Sequence, residues 1–442
     1  MARYDRPEFR YIWRIQQYFL HVHRHSPAIY GNPTVNTITV ASPKPLDPLD
    51  ETTSLEAPAT ARALGPDILR ALAILLVMFV HLPEEAAPLP LAGIRPYGWI
   101  GVDIFFVLSG YLIGSQLMAE AARRKTVDFK AFYLRRAFRI LPAFLLVLAF
   151  YTFIPSLRDA PTMQSAWRFL TFTVNFGLDP RAGGTFTEAW SLSVEEHFYL
   201  VLPVLVVLLK RRATVVFIAC LVVTIVMAGV GLRFALWQSQ VGPAVEMQAY
   251  KAALAVYLRD VYYPTYNRLD GLTFGVVLAA IRLFKPLLWE RYMPPYLVLA
   301  VGSMFVIAAL VIFSARGPFA ETSLPLVFQP LPGAVIGFPL FSAGIALILG
   351  ALLDLQSRIG RWHLPAVSGI ATLSYSLYLT HKGVYHLDQM AFGKDNLLGL
   401  SGFVIYFATC FIVAATLWFL VERNFLSLRD HLMPRPGRTG EA

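Results

Sequence analysis

Arg70-Ala71-Leu72-Ala73-Ile74-Leu75-Leu76-Val77-Met78-Phe79-Val80-His81 is a hydrocarbon-like stretch with a guanidinium at one end and an imidazole at the other. Read as an α-helix, this spacing makes close to three turns, so the two side chains lie about 20° apart around the axis and about 16 Å apart along it. A helix that only crosses a bilayer needs neither group, because ionisable side chains in hydrocarbon cost several kcal/mol and usually mark a function. The competing reading makes Arg70 a snorkelling anchor and His81 a wet interfacial residue. The stretch alone weighs the two equally. Either way it belongs in a membrane.

The rest of the chain agrees. Of 442 residues, 56% are hydrophobic and 15% charged, and the mean hydropathy of +0.55 lies outside the usual range of soluble proteins. The 32 Phe, 20 Tyr and 8 Trp suit aromatic belts on a helical multi-span protein. No alternating strand pattern recurs, which argues against an outer-membrane barrel. The net charge of +10 does not indicate nucleic acid, because the cations cluster at the ends of apolar segments. Cys220 and Cys410 both sit in apolar runs and imply neither a disulfide framework nor a metal site.

Candidate spans run near 68–82, 97–119, 138–155, 192–209, 213–236, 267–284, 295–313, 333–353, 366–387 and 400–421. The expected fold is an all-α polytopic membrane protein of about ten helices. Charge decides how the short apolar segment 164–178 is treated. If it does not cross, both termini are cytoplasmic, and Arg123, Arg124, Lys125, Lys130, Lys210, Arg282, Lys285 and Arg358 fall on the inner side. If it crosses, Lys210-Arg211-Arg212 lands outside. The segment is therefore expected to be re-entrant or interfacial.

Residues 1–60 read as a cytoplasmic extension: an amphipathic surface helix over 9–22, with Ile12, Ile15, Phe19 and Val22 on one face, then a Pro- and Thr-rich linker. His21, His23 and His25 read as a solvated edge rather than a metal site. The membrane domain is expected over 65–425, with a cytoplasmic tail over 426–442.

Oriented this way, the intramembrane polar residues sort into two layers. Arg70, Arg135, Arg136 and Arg139 lie near the inner face. His81, Asp103, Glu195, Glu196, Arg268, Asp270 and His381 lie near the outer one. One basic and one His/carboxylate layer suggest a site that takes an anion from the cytoplasm and does acid–base work near the far side. Each motif also has a plainer reading. Arg136-x-x-Arg139 puts two guanidiniums on one face, as a phosphate clamp or a topology signal. Ser193-x-x-Glu196 has the form of a capping box. Gly110 and Gly114 form a small-residue packing face, with Ser109 beside them read as a packing residue. Arg268 and Asp270 also read as partners for charges on neighbouring helices, and His381 as an interfacial residue.

Six strings in order carry a resemblance that covers about residues 65–425. They are Arg70-x10-His81; Gly101-Val102-Asp103-Ile104-Phe105-Phe106-Val107-Leu108-Ser109-Gly110-Tyr111; Arg136-x-x-Arg139-Ile140-Leu141-Pro142; Trp190-Ser191-Leu192-Ser193-Val194-Glu195-Glu196; Arg268-Leu269-Asp270; and Ser374-Tyr375-Ser376-Leu377-Tyr378-Leu379-x-His381. Together they resemble the membrane-bound acyltransferase family 3, whose members O-acylate glycans, lipids and some natural products. The resemblance implies transfer of an acyl group, with acetyl expected, from cytoplasmic acyl-CoA to a hydroxyl of a carbohydrate or glycosylated acceptor. It places the chain in the bacterial inner membrane, with the donor as a substrate and no permanently bound cofactor or metal.

In the expected mechanism Arg136 and Arg139, with Arg135, hold the coenzyme A phosphates, and the pantetheine arm follows the face of Arg70 and His81. His81 is the expected general base, with Glu196 or Asp103 orienting it, and transient acylation of His81 is the main variant. Glu195, Arg268, Asp270, Tyr378 and His381 are expected to contact the acceptor. Two departures stand out. Position 197 is His where the family usually carries Gln, and the extra hydrolase-like domain of many glycan-modifying members is not expected here. The alternative function is a polytopic transporter of a glycan or anion, which should show internal repeats and one midplane site. No such repeat is visible, and a non-enzymatic scaffold leaves the two charge layers unexplained. The sequence sets no oligomeric state.

Overall fold

The computed structural model describes residues 63–124, 127–180, 182–210, 215–319, 324–359, 362 and 364–433. The helix expected over 9–22, its histidines and the linker lie outside the described residues. Among the described residues the regular structure is helical, and the β contact recorded is an isolated bridge between Met163 and Thr185. Ten long helices follow in order: α1 Leu64–His81, α2 Gly101–Arg124, α3 Phe129–Phe153, α4 Ala189–Lys210, α5 Val215–Leu236, α6 Asp270–Phe284, α7 Pro295–Ser314, α8 Phe338–Asp354, α9 Pro365–Phe392 and α10 Gly399–Leu417.

Each expected span coincides with one of them. Eight of the helical stretches are long and apolar enough to cross a bilayer, and α6 makes a ninth when joined across a 102° bend to Pro286–Tyr292. The 28-residue α9 is long enough but too polar to count with them, because it carries the Ser374–His381 string. The chain is an all-α, multi-pass integral membrane protein.

Local chemistry sets the helix ends that matter. The Leu64 N–H at the start of α1 donates to Gln356 Oε1 at 3.0 Å, so a distant side chain serves as its cap. The helix stops at Leu82, whose extended backbone (ψ 134°) precedes Pro83. Asp128 caps α3, its carboxylate accepting from the Ala131 N–H at 2.9 Å, which places Arg135, Arg136 and Arg139 in the next turns. In α4 the expected capping box is absent. The helix starts four residues earlier, at Ala189, and the Ser193 hydroxyl donates to the Ala189 carbonyl at 3.2 Å. Glu196 therefore projects from a helix interior.

Segment 164–178 does not cross. It contains one five-residue helix, Ala166–Leu170, about 7.5 Å long. Phe169, Val174, Asn175 and Leu178 are buried, and Phe172 stacks on Phe144 of α3. At the other end of the chain, α10 runs through a π-helical turn, Trp418–Glu422, into α11, Arg423–Leu432. The expected tail of 426–442 thus begins inside a helix.

The core is organised around α1, α2 and α8, whose apolar windows are 61%, 67% and 61% buried, against 11% for the window that includes α5. Backbones meet where α2 crosses α6: a methyl group on Gly110 would run into the Leu272 carbonyl, and one on Gly275 into that of Val107. This is the close approach that the small-residue face predicts. Two buried ion pairs lock the same region. Arg268 donates to both carboxylate oxygens of Asp103 at 2.9 and 3.0 Å, and Arg233 donates to Asp270 at 2.7 Å.

Candidate active site

A cavity of about 790 Å³ opens between α2, α3, α4 and α9, a size that suits a cofactor-sized ligand. One end is basic. Arg70, Arg123, Arg135, Arg136, Arg139 and Arg429 all line it, against two carboxylates, Glu120 and Glu195. The N-cap at Asp128 and the three-residue spacing in α3 deliver Arg136 and Arg139 to the same wall. Arg136 lies over the Tyr199 ring at 4.0 Å, and its buried Nε has no hydrogen-bond partner. That is a donor held ready for an anion.

Toward the opposite end polar and aromatic groups line the cavity. Tyr378 and Ser191 share a hydrogen bond of 2.6 Å, and the Tyr378 ring meets Phe105 edge to face at 6.1 Å. One turn beyond Tyr378 on α9 lies the buried His381, and against it His81 from the end of α1. Their Nε2 and Nδ1 atoms are 3.1 Å apart. His81 itself is exposed. Beside them Lys382 pairs with Asp159 at 2.7 Å and Glu188 at 3.3 Å.

Several expectations change here. Arg70 lines the cavity and His81 does not. The α1 face between them is packed shut by Ile74, Val77 and Met78, each at most 1% exposed. The open path instead follows α2 and α9 and ends at Tyr378. Asp103, expected beside His81, is taken by Arg268. Arg268 and Asp270, expected at the acceptor, are buried in the two ion pairs and line neither cavity. Their physical work is to neutralise charge inside the bundle.

Glu195 does line the cavity and accepts from the Tyr199 hydroxyl at 2.7 Å. Glu196 faces a smaller cavity of about 220 Å³, shared with Arg136 and Tyr199, rather than His81. Ser109, read as a packing residue, faces the main cavity. His197 lies off it, bonded to Thr265 Oγ1 at 2.7 Å and stacked on Phe176.

Sequence reading took Arg123 only as an inner-side topology charge and did not single out Arg429 or Lys382. For Arg429 a signal existed: Leu426 and Arg429 share one face at helical spacing, and both line the cavity.

The family model described as an acyltransferase domain matches residues 64–420, which takes in all ten long helices. The chain belongs to acyltransferase family 3. The peptidoglycan O-acetyltransferase OatA of Listeria monocytogenes is 28% identical over 334 residues, covering 71% of this chain and 48% of that protein. The O-acetyltransferase OatA of Staphylococcus aureus is 36% identical over 165 residues, covering 34% of this chain and 25% of that one. The chain spans about half the length of the relatives that match most of it. No solved structure matches it. The family is one of membrane-bound acyltransferases and includes proteins named O-acetyltransferases.

Proposed function

We propose that the protein transfers an acetyl group from acetyl-CoA, bound in the arginine-lined cavity, to a carbohydrate hydroxyl presented at the His81 end. The observation that carries this reading is the cavity itself: six arginines at one end, and the two histidines one helical turn past the other. Guanidinium forks suit the phosphates of coenzyme A, and the elongated space suits a pantetheine arm. The polysaccharide acceptor named for the Listeria relative supports a glycan hydroxyl, with peptidoglycan strands the first to try. The setting is the bacterial inner membrane, with the basic end facing the cytoplasm.

In the proposed reaction, His81 Nε2 takes the acceptor hydroxyl proton as that oxygen attacks the thioester carbonyl. The carbon–sulfur bond then breaks, and the departing thiolate recovers the proton from His81 Nε2. The products are the O-acetyl ester and free coenzyme A. Phe105 and Tyr378 both line the cavity, and Tyr378 stands one helical turn before His381, so in this reading the thioester passes these rings before it meets the acceptor.

The test uses the purified protein in detergent, with acetyl-CoA and soluble peptidoglycan fragments, and reads acceptor-dependent release of the coenzyme A thiol. His81→Ala should lower kcat by about 10²–10⁴-fold, the usual worth of a general base, with unchanged yield of folded protein. Turnover within threefold of wild type would remove His81 from the chemistry.

A further inference from the structure

We propose that His381 is the positioning residue that fixes the tautomer of His81 and so leaves Nε2 as the base. This rests on His81 being the base of the proposed reaction. The assignment follows from which partners can only accept. His381 Nδ1 lies 3.0 Å from the Leu377 carbonyl and 2.9 Å from that of Tyr378. A carbonyl oxygen has no proton to give, so Nδ1 of His381 carries one and donates it. In the neutral ring, Nε2 is then a lone pair.

That lone pair faces His81 Nδ1 at 3.1 Å, and the same Nδ1 lies 2.9 Å from the Val77 carbonyl. Both neighbours accept, so His81 Nδ1 is also protonated. The remaining lone pair of His81 sits on Nε2. The Val77 carbonyl and, relayed through His381, the two backbone carbonyls of α9 thus act together to set which nitrogen of His81 is basic. His381 is the only one of these partners that a side-chain substitution removes.

In a Ser-His-Asp triad a carboxylate does this work, and removing its charge while keeping the shape costs about 10⁴-fold in rate. No carboxylate among the described residues is placed to do so here. Asp103 is bound to Arg268, Asp159 and Glu188 are bound to Lys382, and Glu196 faces the smaller cavity. His381 is fully buried, and its ring is wedged against Tyr378 on one side and Tyr385 on the other. It is therefore held in place as a rigid neutral acceptor. The same arrangement keeps the His81 cation short-lived, since a neutral imidazole binds it less tightly than a carboxylate would, and this favours return of the proton to the leaving thiolate.

The experiment separates the two ring nitrogens of His381. His381→Gln keeps a polar group where Nε2 was and can still accept from His81. His381→Asn keeps one only where Nδ1 was, and His381→Ala keeps neither. In the acetyl-CoA assay, His381→Gln should retain kcat within about tenfold of wild type, while His381→Asn and His381→Ala should both fall about 100-fold or more, the lower end of what a general base supplies. The KM for acetyl-CoA should stay within twofold in all three. If His381→Asn works as well as wild type, or if His381→Gln is as poor as His381→Ala, the inference is wrong.

Activity surviving in His81→Ala would instead sink the base itself, which distinguishes the two failures. A second measurement needs no folded His381 variant. In wild-type protein with ¹⁵N-labelled histidine rings, the His81 signals, assigned by their loss in His81→Asn, should show a protonated Nδ1 and an unprotonated Nε2. The opposite tautomer would overturn the proposal.

Discussion

Two adjacent glutamates on α4 show what a residue's neighbours decide. Glu195 and Glu196 look interchangeable in sequence, yet Glu195 faces the large cavity and accepts from Tyr199, while Glu196 faces the small one. The Arg136/Arg139 pair was legible because its partners are three residues apart on one helix. The role of Asp103 was not, since Arg268 lies 165 residues away along the chain. Glu188, just before α4, carries a prediction at this scale. Burial pushes its carboxyl from 4.5 up to about 7, with Lys382 opposing and Asp159 adding to the shift. Between those values the folded protein holds a proton that the unfolded chain has lost. Its stability contribution is therefore full below about 4.5 and is lost as pH rises through about 7. The thermal midpoint in detergent should fall over that range in wild type, and Glu188→Gln should lose that part of the slope. Parallel curves would mean that Glu188 is ionised throughout.

Elements were the best-read level. Every expected span became a helix, because an uninterrupted apolar run of this length has no other way to satisfy its backbone in lipid. The misreadings were at the ends, where packing rather than pattern decides. The start of α4 moved upstream of its apparent capping box, and α11 emerged from what reads as a tail. Helix α11 places Arg429 in the cavity wall beside the α3 arginines. Arg429→Glu should accordingly raise the KM for acetyl-CoA at least about tenfold, the scale of one charge-assisted hydrogen bond reversed, with kcat at saturation little changed. An unaltered KM would make α11 a surface helix only. The α2–α6 crossing gives a second test. Gly110→Val forces a side chain into the Leu272 carbonyl and should lower the thermal midpoint sharply. An unchanged midpoint would mean that the two backbones can separate without cost.

For the whole molecule, the two polar layers inferred from charge became one basic cavity and one histidine pair, on helices that sequence order alone does not bring together. In the proposed reaction Arg70 and His81 stand at the two ends of the donor path, and the cavity between them is lined along α2 and α9. Only tertiary packing could reveal this, since it depends on Ile74, Val77 and Met78 filling the face of α1. The transport alternative is disfavoured for the same reason: the polar groups form an arginine-lined chamber and, beyond Tyr378, a histidine pair, rather than a single midplane site.

The most direct measurement is calorimetric titration of acetyl-CoA into the purified wild-type protein, the Arg136→Ala/Arg139→Ala double variant and His81→Ala. The account predicts binding to wild type, affinity weakened more than about tenfold in the double variant, as loss of two charge-assisted contacts requires, and unchanged affinity in His81→Ala. Equal affinity in all three, or no binding to wild type, would contradict it.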